Sequence, residues 1–207
     1  MIHLDLSNDA KKLWMGLLVL ALLELTSFKA VAEDSPSSVP WPIGIGIVEQ
    51  AQFPDVDSDI MGLRFSFVYG RNANVSGLDF GIFGCGVDGC LFGMQLSVIL
   101  NNIGSANGAL QMSGIANNCL EDFYGVQLAG IANKADGGAF GGQLASFNIA
   151  NDMGGVQIGV YNQAENALGI QIGVINMATE MKGIQLGVFN VIKNGALPYM
   201  PILNANF

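Results

Sequence analysis

Between residues 155 and 190 the chain alternates apolar and polar positions with a period of two. The phrases "GVQIGVYN", "GIQIGVIN" and "GIQLGVFN" occupy 155–162, 169–176 and 183–190. In each, β-branched or leucine side chains flank a glutamine. Val156, Ile158 and Val160 stand on one side, and Gln157, Gly159 and Tyr161 on the other. Such alternation predicts strands, and the frequent glycines and missing 3.6 period exclude helices. Gly opens each predicted strand and Asn162, Asn176 or Asn190 closes it.

The pattern extends upstream. Aligned positions are Asp79, Gln95, Gln111, Gln127, Gln143, Gln157, Gln171 and Gln185, with steps of 16, 16, 16, 16, 14, 14 and 14. Arg64 in "GLRFSFVYG" marks an earlier copy. Regular self-similarity of this length is the signature of a repeat architecture. Copies within 93–133 are longer and carry Ser or Ala for Gly, which leaves their regularity open.

Two all-β folds accommodate the repeat. The first is a parallel β-solenoid with 14–16 residues per coil. Its apolar trio would fill the interior, and Gln and Asn would stack as ladders. The alternative is a small antiparallel outer-membrane barrel of about 10 strands, with Val and Ile facing lipid. Low charge and the apolar alternation back from Phe207 suit the barrel. Pro198 and Pro201 oppose it, because a closing strand bonds on both sides and Pro cannot donate. Nor would lipid-facing strands require the same Gln and Asn in every copy. The solenoid is therefore the preferred expectation.

The rest of the chain divides around the repeat. Residues 1–32 read as a signal peptide: Lys11 and Lys12, an apolar run from Leu13 to Leu25, then Ala30-Val31-Ala32. Residues 33–61 read as a linker with an N-terminal strand or cap, where "WPIGIGIV" predicts the strand. The β-repeat domain covers 62–195, and 196–207 form a C-terminal cap or closing strand.

Composition narrows the function. Only 12% of residues are charged, against roughly 25% in ordinary soluble domains. The net charge is −9, which argues against a nucleic-acid partner. The sole histidine, His3, lies in the signal segment. The mature chain then lacks the commonest general base and zinc ligand, so no catalytic, cofactor or metal site is expected. Asp55, Asp57 and Asp59 alternate like the start of a calcium loop. Ile60 and Ser66 stand where that loop needs Gly and Glu, so the run reads as a solvated acidic turn. Cys85 and Cys90 bracket "GVDG" and are candidates for a local disulfide. Arg64 and Asp79 are expected to pair across adjacent copies, as structural charge neutralisation on the solenoid face.

The repeat G-[VI]-Q-[IL]-G-V-x-N resembles that of a family of exported bacterial surface-repeat proteins of the leptospiral type. The segments "GLRFSFVYGRNANVSGLDFGIFG" and "LPYMPILNANF" also resemble that family's entry and exit. The resemblance covers residues 60–207. It implies export to the outer membrane or cell surface, with the periplasm or secretion as alternatives, and the family carries no assigned enzymatic activity. The expected role is a structural or interaction protein whose partner is an unknown protein or envelope component, with membrane association left open. A small outer-membrane pore is the alternative. The candidate interaction face carries Gln157, Tyr161, Gln171, Gln185 and Phe189.

Overall fold

The computed structural model describes residues 39–207. The signal segment and the start of the linker lie outside these residues. The described chain is a parallel β-solenoid whose strands are β1 (Trp41–Gly46), β2 (Gln52–Phe53), β3 (Ile60–Ser66), β4 (Tyr69–Asn72), β5 (Val75–Gly81) and β6 (Gly84–Ser97). They continue with β7 (Leu100–Ser113), β8 (Ala116–Cys119), β9 (Phe123–Ala129), β10 (Ala132–Leu144), β11 (Phe147–Ile192) and β12 (Tyr199–Asn206).

Successive coils pair parallel and in register. Arg64 lies beside Asp79, Asp79 beside Gln95, Gln95 beside Gln111, and Gln111 beside Gln127. The pairing continues from Gln127 to Gln143 and from Gln143 to Gln157. This excludes the antiparallel barrel, and with it a barrel pore. Equivalent residues stack along one axis, and their side chains fill the space that a barrel would leave as a lumen. Only the ends run antiparallel: β2 on β1, and β12 on the last coil, where Gln185 faces Asn204.

The change of coil length is absorbed at the corners. In the longer coils six residues separate Gln111 from Asn117, and ten separate Asn117 from Gln127. In the shorter ones the gaps are five, Gln157 to Asn162, and nine, Asn162 to Gln171. Each arc loses one residue while the stacked columns stay aligned. Small register shifts near Asn107 and between Ala135 and Gly138 take up the difference. The copies at 93–133 are thus regular in their ladders despite their Ser and Ala.

Four columns of side chains fill the interior. Two are amide columns: Gln95 to Gln185, and Asn101 to Asn190, all buried. The third runs Val87, Ile103, Cys119, Ala135, Ala150, Ala164, Ala178 and Ile192. The fourth includes Val75, Leu91, Ala106, Phe123, Ala139, Met153, Ala167 and Met181. Small residues dominate the third column because a coil this short encloses little volume.

The expected placement of the repeat side chains is therefore inverted. Gln157 is fully buried, whereas Ile158 and Val160 are 41% and 52% exposed. The apolar trio does not fill the interior. Glutamine inside is favourable because the stack spaces coils by about 4.8 Å. That spacing lets each amide donate to its neighbour, so its desolvation is compensated.

Gly155 illustrates the corner chemistry. Its φ is +135°, which L side chains rarely adopt, and a Cβ there would collide with the carbonyl oxygen of Gly141 one coil below. The same column repeats at Gly141, Gly169 and Gly183.

Candidate functional site

Two amide ladders run through the solenoid in opposite directions. Each Gln donates from Nε2 to the Oε1 of the preceding coil: Gln111 to Gln95 at 2.9 Å, Gln157 to Gln143 at 2.8 Å, Gln171 to Gln157 at 2.7 Å. Each Asn donates from Nδ2 to the following coil: Asn148 to Asn162 at 2.9 Å, Asn162 to Asn176 and Asn176 to Asn190 at 2.8 Å. The second amide hydrogen braces the backbone. Gln185 reaches the carbonyl of Val191 at 3.1 Å, and Asn162 that of Ile172 at 2.9 Å. The amide dipoles of the two stacks oppose one another.

Arg64 and Asp79 terminate the glutamine ladder. Asp79 accepts from Gln95 Nε2 at 2.9 Å, from Arg64 Nε at 2.7 Å and from Arg64 Nη2 at 2.5 Å. Arg64 also donates from Nη1 to Asn72 Oδ1 at 3.1 Å. The two side chains are 2% and 0% exposed. The anticipated pairing is present, but it lies inside the coil rather than on its face. Burial opposes the charge on Arg64, and the Asp79 carboxylate outweighs it, raising the guanidinium above its ordinary value. A carboxylate at the start of the stack accepts the first amide hydrogen, so it sets the ladder's direction.

The three cysteines are free. The candidate bridge between Cys85 and Cys90 is not present in the structure. "GVDG" belongs to the extended strand β6 and does not fold back, so the two thiols diverge. Cys85 points inward in the asparagine column, beside Asn101. Burial, reinforced by Asp79, pushes its thiol well above the usual range. Cys119 sits in the third interior column, and burial pushes it up to about 12. Neither thiol is placed to act as a nucleophile. Among the described residues no three His, Cys, Asp or Glu side chains gather as a metal site. Asp55 and Asp57 are exposed, and Asp59 accepts from Asn74 Nδ2 at 2.8 Å.

The candidate interaction residues separate. Gln157, Gln171 and Gln185 are 0–1% exposed and cannot be a contact face. Phe189 is 62% exposed, and Tyr161 is half-buried with its hydroxyl donating to Gln163 Oε1 at 2.8 Å. Strict alternation would place Tyr161 on the side of Gln157. The chain bends between them at Gly159, the phase slips by one, and Val160 and Tyr161 both face outward. Phe147 and Tyr161 share a column, with ring centroids 6.3 Å apart.

What the fold exposes is the side opposite the glutamines. The residues before and after each Gln form two outward columns. They read Leu63 and Phe65, Leu78 and Phe80, Met94 and Leu96, Leu110 and Met112, Val126 and Leu128. The later coils add Leu144, Val156 and Ile158, Ile170 and Ile172, Ile184 and Leu186. Gly142 is the one position in these columns without a side chain. The terminal strands extend them: Ile43 pairs with Leu63 and Ile45 with Phe65, while Leu203 pairs with Leu186 and Ala205 with Ile184. These columns carry no charged side chain.

Most of the exposed acids ride a separate corner, four to six residues before the next outward column. Asp122, Asp136, Asp152, Glu165 and Glu180 lie there, exposed. Asn166 donates to Asp152 Oδ1 at 2.7 Å, and Lys134 pairs with Asp136 at 2.9 Å. A groove of about 630 Å³ runs along this corner between Phe140, Leu168 and Phe207, with Asp152, Glu180 and Lys182 at its rim. The solenoid is thus amphipathic in cross-section.

Comparison with family models, curated proteins and solved structures returns no match.

Proposed function

We propose that the chain is an exported, non-enzymatic structural or interaction protein of the bacterial envelope, working through its outward apolar sheet. The observation that carries this reading is the placement of Ile158, Ile172 and Leu186 outside while the glutamines between them are buried. A contiguous apolar face of this extent marks a contact surface. Three further features support it. The amides, Arg64 and Asp79 are consumed by the ladders that hold the coils together. The basic-apolar N-terminus followed by Ala30-Val31-Ala32 has the form of an export signal. The repeat resembles that of the leptospiral-type surface-repeat family. The partner is a protein or another envelope component met by burial of apolar area, which needs no cofactor.

Fractionating the producing cells tests this reading. The chain should be recovered with the envelope. The double substitution Ile158→Asp/Ile172→Asp should release it into the soluble fraction. Recovery of the unaltered chain in the cytosol, or unchanged envelope retention of the folded variant, would overturn the proposal.

A further inference from the structure

Taking that apolar sheet as the working surface, we infer that its occupant is a second copy of the chain, packed sheet on sheet into a homodimer. The proposal rests on the contact reading above and names its partner.

Three observations point to a second copy. The first is extent. From Ile43 and Ile45 in β1 to Leu203 in β12 the columns cross eleven stacked strands, roughly 48 Å at the usual strand spacing. With each strand crossing the face over about five residues, alternate ones facing outward, this is on the order of 700–800 Å² per copy. Two such faces bury about 1,500 Å², within the range of a stable dimer interface. The second is architecture. The amide interior covers one face of the sheet, and the apolar side chains of the other face, Ile158, Ile172 and Leu186 among them, stay exposed. The end strands lie outside the repeat, yet they continue the same columns, so the face is complete from end to end and matches its own length.

The third is charge. The columns carry no charged side chain, and most exposed acids lie on a separate corner, with Asp55 and Asp57 beyond β2 as the exceptions, so two chains of net charge −9 keep their like charges outside the contact. The same distribution disfavours an anionic lipid surface, which attracts through basic clusters beside the apolar face. The bases are few and do not cluster: Arg64 is sealed inside with Asp79, Arg71 is held by Asp88 at 2.9 Å, and Lys182 is exposed two residues before Ile184.

The test uses the full chain purified without detergent, at about 10 µM, well above the nanomolar constants typical of interfaces this size. Sedimentation equilibrium should give twice the chain mass. Gly142→Arg places a charge in the middle of the face without removing any packing, since a Cβ there meets only the Val126 side chain at 3.8 Å. It should halve the mass and leave the β-sheet circular dichroism unchanged. Ile172→Asp, on a separate coil, should do the same. A monomeric parent chain, or a folded Gly142→Arg variant that stays dimeric, would overturn the inference. Flotation with phosphatidylcholine vesicles separates the two readings. A monomer that floats, and loses flotation on Gly142→Arg, refutes the second copy and retains the contact surface. A monomer that neither floats nor changes envelope retention on substitution refutes both.

Discussion

Replacing Arg64 alone and together with Asp79 tests how the glutamine ladder begins. In Arg64→Gln the Asp79 carboxylate stays buried with amide donors and loses its cation. Removing one partner of a fully buried pair costs about 3–5 kcal/mol. For a chain of this length that corresponds to a fall in Tm of roughly 6–20 °C. The double variant Arg64→Gln/Asp79→Gln removes both charges. It also continues the existing stack, since both positions lie in register with Gln95. The amide oxygen introduced at position 79 would accept from Gln95 as the Asp79 carboxylate does now. Replacing a buried pair by neutral groups that keep their hydrogen bonds is neutral or stabilising by about 1–4 kcal/mol. The double variant should therefore recover all or more of the loss. Thermal unfolding followed by circular dichroism on the parent, both single variants and the double reads the cycle. A double variant less stable than Arg64→Gln would refute the reasoning, because it would mean that charge, and not amide continuity, holds this end of the stack.

Gly155→Ala should cost about 1–3 kcal/mol, since it imposes a positive-φ Ala against the Gly141 carbonyl; a thermal shift within error would contradict the corner geometry. In the folded chain at pH 8, only Cys90 should react with a disulfide reagent, because Cys85 and Cys119 are buried with thiols raised above that pH. Counting released chromophore before and after denaturation should give one thiol and then three. Tyr69 is pushed up to about 12, first by burial and then by Glu49. A group whose folded value is raised stabilises fully below its unfolded value, so stability should hold below pH about 10 and fall as pH rises toward 12. Tyr69→Phe should weaken that alkaline loss, measured as urea midpoints across the range.

The repeat, its strand character and the stacking of Gln and Asn were legible because a period of two and a fixed step leave few alternatives. Which side faced inward was not. Alternation distinguishes two faces without saying which is enclosed, and apolar burial alone assigns Val156, Ile158 and Val160 to the interior. Two facts reverse this. A coil of 14–16 residues has two interior columns besides the amides, one held mostly by Ala and the other alternating Ala with Leu91, Phe123, Met153 and Met181, so every copy cannot also turn an apolar trio inward. Amides spaced by one strand also satisfy one another completely, so their burial is not penalised. The phase slip at Gly159 was equally hidden, because the Gly reads as another strand position until the chain is seen to bend there. Arg64 and Asp79 were recognisable as partners from their register, but their enclosure follows only from the inversion. The apolar sheet was visible as residues and invisible as a surface for the same reason.

Hydrogen exchange of the side-chain amides, resolved by NMR on the folded chain, tests the inverted interior most directly. Amide protons of Gln111, Gln127, Gln143, Gln157 and Gln171 should exchange at least about 1,000-fold more slowly than in the unfolded chain, because each sits in a closed ladder that opens only with the coil. Exchange at unfolded rates while backbone protection persists would place the glutamines at the surface and contradict the account.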